Sequence, residues 1–79
     1  MTLEDLDKEL YGVVVEACGR NNLLKPMDVQ KKVMAKHSDV EKNDVKFSIK
    51  RLVDGGRLEY AYLGGSFLVT PEWAEKRKH

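Results

Sequence analysis

One cysteine, Cys18, and two histidines, His37 and His79, are the whole stock of thiol and imidazole ligands in this chain. A lone thiol excludes an internal disulfide and leaves no cysteine pair to seat a metal. Its simplest reading is a small buried residue near the end of a first helix. The histidines lie far apart and neither stands in His-x-x-x-His spacing; no Gly-rich loop opens a helix in Walker or dinucleotide form. Ser38, Ser48 and Ser66 lack the sequence context of a nucleophile. The expectation is a protein with no catalytic residues, no metal, no cofactor and no small-molecule substrate. No apolar run approaches the roughly 20 residues that cross a bilayer, and Met1-Thr2-Leu3-Glu4-Asp5 lacks the basic-then-apolar start of a signal peptide. A membrane partner is not expected, and the expected location is cytoplasmic.

Net charge is also scarce. It is only +1, little for a nucleic-acid binder, but it is unevenly placed. In residues 1–16, Glu4, Asp5, Asp7, Glu9 and Glu16 against Lys8 give −4; in residues 17–51, nine Lys and Arg against four Asp and Glu give +5. The remainder cancels, with its positive charge gathered in Lys76-Arg77-Lys78. A basic middle on a polarised domain supports a nucleic-acid partner, although solvated faces of ordinary proteins look the same.

Hydrophobic residues at 42% and charged residues at 34% are a globular rather than a disordered balance. Repeats, low-complexity stretches and linkers are missing, so residues 1–79 read as one domain, near the small end of what a core stabilises unaided. Leu3, Leu6, Leu10, Val13, Val14 and Ala17 recur every three or four residues, which predicts a helix over 3–18 capped by Thr2. Gly12 inside it predicts close approach of another element, and Gly19 with Asn21-Asn22 supplies the stop. Leu23-Leu24-Lys25 reads as a short strand ended by Pro26, which suits the first turn of a second helix through Lys36. Val29 and Val33 face the core there, Lys31, Lys32 and Lys36 form a basic flank, and Val40 plugs the gap before the next helix.

Residues 43–70 carry the most informative pattern. Val45, Ile49, Leu52 and Val53 fall at i, i+4, i+7 and i+8, a helical stripe capped by Asn43, or by Asp39 or Ser38 if it starts earlier, and stopped by Gly55-Gly56. Two strands follow around a two-residue turn at Gly64-Gly65: Leu58, Tyr60 and Tyr62 alternate along the first, Phe67 and Val69 along the second. After Pro71 come Trp73 and a charged tail, 74–79, expected to fray. Three helices running into a hairpin, with a short strand between the first two, make an α+β chain that resembles the winged-helix form of the helix-turn-helix.

That resemblance implies a DNA-binding protein, a transcriptional regulator, whose third helix enters the major groove of double-stranded DNA. Asn43, Lys46, Lys50 and Arg51 lie off the core stripe and have the chemistry for base edges, while Lys31, Lys32 and Lys36 suit phosphates. Phe47 falls nearly opposite Val45 and Ile49, where it meets a thymine methyl, anchors a protein, or is covered by a neighbouring element. The hairpin tip, Tyr62-Leu63-Gly64-Gly65-Ser66-Phe67, carries no positive charge, which suits packing or protein contact better than phosphate grip. Asp39 to Lys46, with Leu58-Glu59-Tyr60 beyond the glycines, is also similar to the small D protein of the dissimilatory sulfite reductase system. That second resemblance implies a regulatory partner of an enzyme complex, touching protein through Phe47, Tyr62 and Leu63 and carrying no catalytic residues.

Overall fold

The structure, a computed structural model, describes residues 1–77, so Lys78 and His79 lie outside the described residues. Helix α1 spans Leu3–Gly19, α2 Pro26–Lys36 and α3 Lys42–Asp54; strands β1, Glu59–Tyr62, and β2, Ser66–Val69, follow, and α4, Pro71–Lys76, closes the chain. Among the described residues the result is an α+β domain of four helices and a two-stranded antiparallel sheet. Helix α1 packs on α2 and α3, which also pack on each other, β2 seals the core against α1 and α2, and α4 rests on β1.

Each long helix exists because one face is apolar and its first turn is capped. In α1 the Thr2 hydroxyl accepts the Asp5 N–H at 3.1 Å, and Leu6, Leu10, Val14 and Ala17 are buried. Leu3, expected in that stripe, is instead 63% exposed, because it stands one turn ahead of the first residue the core covers. Gly12 is likewise a correction: it is exposed, and a Cβ built there would meet nothing within 4 Å. No element needs that glycine. Gly12→Ala should therefore stabilise the domain by about 0.5–1 kcal/mol, raising the melting temperature by roughly 2–8 °C in a circular-dichroism melt. The reversal after α1 is made by Asn21, held at φ 56°, while Asn22 donates to the Ala17 carbonyl at 2.9 Å.

Pro26 opens α2, where Val29 and Val33 are fully buried, and Val40 fills the space before α3 as its sequence position requires. The expected strand at Leu23-Leu24-Lys25 reduces to a single bridge, in which the Leu68 N–H donates to the Leu24 carbonyl at 2.9 Å. Helix α3 begins one residue before the expected cap: Glu41 is the cap, its N–H held by the Asp44 carboxylate at 3.0 Å, and Asn43 lies inside the first turn. Val45, Ile49 and Leu52 are buried, joined by Ser48, which is fully buried.

The hairpin pairs Glu59 with Val69 and Tyr62 with Ser66. Three residues, Leu63-Gly64-Gly65, therefore form the turn rather than two, and of these glycines Gly64 alone takes positive φ, at 78°. The alternating set Leu58, Tyr60 and Tyr62 does not share one environment. Leu58 is fully buried, whereas Tyr60 and Tyr62 are exposed, because β2 lies between Leu24 and β1 and leaves β1 as the outer strand. The largest correction to the three-helix reading is α4. Thr70 caps it by accepting the Trp73 N–H at 3.3 Å, and Arg77 just beyond it stacks 5.0 Å from the Trp73 ring while donating to Asn21 at 2.9 Å. Residues 74–76, expected to fray, thus belong to a helix tied back to the end of α1.

Candidate functional site

The amphipathic character of α3 divides its side chains into two sets. With Val45, Ile49 and Leu52 turned inward, Asn43, Lys46, Phe47 and Lys50 are all exposed on the outer side. Phe47 is 61% exposed, so no neighbouring element covers it. Lys46 sits on the flank of that face nearest α2, where a shallow groove runs between α2, α3 and the hairpin. Pro26, Met27 and Gln30 line one wall, Lys46 and Ile49 the other, and Lys25 and Ser66 close the end. None of these lining residues is acidic, so the groove combines an apolar floor with two ammonium groups.

Arg51 is placed differently from its neighbours. It lies on the α1 side of α3, and its guanidinium grips Asp7 of α1 as a fork, Nε to Oδ2 at 3.0 Å and Nη2 to Oδ1 at 2.7 Å. The Ser48 hydroxyl donates to the same carboxylate. The Arg51 fork, with the Ser48 hydroxyl assisting, holds the Asp7 carboxyl below the usual carboxylate range despite partial burial, and Asp7 raises Arg51 in return. A bidentate pair of this geometry turns the guanidinium toward α1 and away from the outer face of α3.

The lysines of α2 are also divided. Lys31 is exposed on the outer side, but Lys32 and Lys36 lie on the flank facing α1, in a second depression lined by Val13, Glu16, Arg20 and Leu24. The Lys36 ammonium is 3.9 Å from Glu9, and the His37 Nε2 is 3.6 Å from the same carboxylate oxygen. The structure therefore brings Asn43, Lys46, Phe47 and Lys50 onto one face and leaves Arg51, Lys32 and Lys36 on the sides that meet α1. Tyr62 and Leu63, 76% and 61% exposed, stand at the outer end of the hairpin. Sequence reasoning missed Lys25, Met27, Gln30 and Ser66 as partners of Lys46. The pairing of Leu24 with β2 would have found them, since it draws the start of α2 and the hairpin turn together.

Among the described residues no three His, Cys, Asp or Glu side chains converge as a metal cage requires, and no helix is long and apolar enough to cross a membrane. Comparison with protein-family models, with curated proteins and with solved structures finds no match to this chain.

Proposed function

We propose that this domain is a winged helix that binds double-stranded DNA, as a transcriptional regulator would, with the outer face of α3 in the major groove. The observation that carries the reading is the exposed set Asn43, Lys46 and Lys50, displayed opposite the buried Val45, Ile49 and Leu52 on a helix that runs into a hairpin. An α-helix fits the major groove, lysines there reach guanine O6 and N7, and an asparagine pairs with adenine N6 and N7. Phe47 is in position for a thymine methyl. Lys31 meets backbone phosphate, and Lys32 and Lys36 contribute from the flank as sources of longer-range attraction. Arg51 leaves the base-reading set, because Asp7 holds its fork.

The test is a fluorescence-anisotropy titration of duplex DNA at about 50 mM and about 200 mM salt. The parent protein should bind with strongly salt-dependent affinity. Joint replacement of Lys46 and Lys50 by Ala should weaken binding and relax the preference among duplex sequences, without lowering the melting temperature. Absence of affinity for any duplex at low salt overturns the reading.

A second reading has its own observation: Phe47, Tyr62 and Leu63 are all more than half exposed, and exposed apolar groups are what a protein contact uses. In that case the domain is a protein-interaction module, a regulatory partner of an enzyme complex like the D protein of the dissimilatory sulfite reductase system. A complex that persists at high salt and is weakened by Leu63→Lys favours this reading over DNA.

A further inference from the structure

From Glu59 to Thr70 the hairpin segment holds no Lys or Arg, yet a cation lies against it. Lys25 comes from the connection between α1 and α2. Two constraints set its backbone: Pro26 follows it and keeps it extended, at φ −79° and ψ 158°, and Leu24 before it is paired to β2. Its own N–H is taken by the Asp28 carboxylate at 3.3 Å, which turns that acid toward the backbone. The side chain then crosses the turn. Its Nζ stands 5.7 Å from the centroid of the Phe67 ring, within the range of cation–π attraction. Its Cε and Nζ pass 3.4 and 3.6 Å from the point a Cβ on Gly65 would occupy. Gly65 does not take positive φ, so the nearby lysine stem, rather than the backbone, makes use of the missing side chain.

An ammonium laid on an aromatic face still has N–H donors directed away from the ring. At the end of a groove with no acidic lining, those donors face solvent on the side shared with Lys46. We infer that Lys25 is the phosphate-binding cation of the hairpin, and that Phe67 is its positioning residue. The ligand is a backbone phosphate of DNA flanking the groove that α3 enters, so the inference rests on the DNA reading above. It answers the absence of positive charge at the hairpin tip: the charge is supplied by another segment and held in place by an aromatic ring.

Five variants test it, each titrated against duplex DNA across a salt series, below its own melting transition as followed by circular dichroism. Lys25→Gln should lower the salt slope by about one counterion and weaken binding roughly two- to fivefold at low salt, equally for unrelated sequences. Lys25→Arg should restore both, since a guanidinium also carries the charge and stacks on the ring. Phe67→Leu should weaken binding by itself but add nothing in the Lys25→Gln background. Equal losses from Phe67→Leu in both backgrounds overturn the positioning role. If Lys25→Gln changes neither slope nor affinity while Lys50→Gln weakens binding, the inference falls and the DNA reading stands. If the parent protein binds no duplex at low salt, both fall together.

Discussion

Ile49→Asp should abolish the folded state, whereas Lys50→Asp, one residue along, should melt within a few degrees of the parent. Ile49 is 5% exposed and shares the inward face of α3 with Val45 and Leu52. The change removes a buried aliphatic side chain, a loss of about 2–5 kcal/mol by itself. It then puts a carboxylate at a buried position, where desolvation adds several kcal/mol more or forces the group to stay protonated. Total stability in a domain this small is on the order of 5 kcal/mol, so the sum exceeds what is available. Lys50 points outward on the same helix and loses only surface charge. Circular dichroism should show a cooperative melt for Lys50→Asp and none for Ile49→Asp. Equal melting temperatures would show that α3 is turned the other way, and the exposed set proposed for DNA would turn with it. Under the DNA reading Lys50→Asp should also remove duplex binding while keeping the fold, which separates the two roles of neighbouring residues.

The three long helices were legible because each buries one face of a regular period. Leu6, Leu10 and Val14 in α1, Val29 and Val33 in α2, and Val45, Ile49 and Leu52 in α3 repeat at three- and four-residue intervals, and all are buried. Helix α4 offered no such period. It has six residues, none of them buried, and owes its place to a Thr70 cap and to the Trp73–Arg77–Asn21 contacts, whose partners lie as far as 56 positions apart. Caps were ambiguous for a similar local reason. Asn43 has the better side chain, but Asp44 reaches back to the N–H of Glu41, so the helix starts where that carboxylate closes the turn.

The candidate site was half legible, and the division has a physical cause. Helical periodicity tells which side chains leave the core, and it placed Asn43, Lys46, Phe47 and Lys50 on the outer side, where the structure has them exposed. It cannot tell what a neighbouring helix offers to a residue at the edge of that face. Arg51 lies at such an edge, and the acid that meets it stands 44 positions earlier. Lys36 meets Glu9 across the same α1 surface. The acidic first helix, which looked like one pole of a polarised domain, is in part the counter-charge of α2 and α3. Arg51 of α3 and Lys36 of α2 thus meet acids of α1, while Lys46 and Lys50 stand on the outer side of α3.

Asp7→Ala should lower stability by about 2 kcal/mol and the melting temperature by roughly 8–16 °C, the larger effect expected of any single charged residue here. Asp7 accepts from both Arg51 and Ser48, and Ser48 is fully buried, so the change leaves a hydroxyl without its acceptor and a guanidinium without its counter-charge. Solvent screening limits the ionic part, since the Arg51 side chain is 36% exposed and that of Asp7 22%. The sign of the pH dependence follows from the direction of the Asp7 shift. The native carboxyl titrates below its unfolded value, near 3.8, so the stabilisation is fully present above that value and is lost as pH falls through the native one. The gap in stability between the parent and Asp7→Asn should thus be widest near neutral pH and narrow in acid below about pH 4. Urea denaturation at several pH values reads it directly; a gap that holds constant into acid, or Asp7→Ala melting like the parent, would remove the clamp. Arg51→Ala separates structure from recognition. Well below its melting transition it should retain the parent's order of preference among duplex sequences. Relaxed preference instead would mean that Arg51 leaves Asp7 when DNA is bound, returning it to the base-reading face.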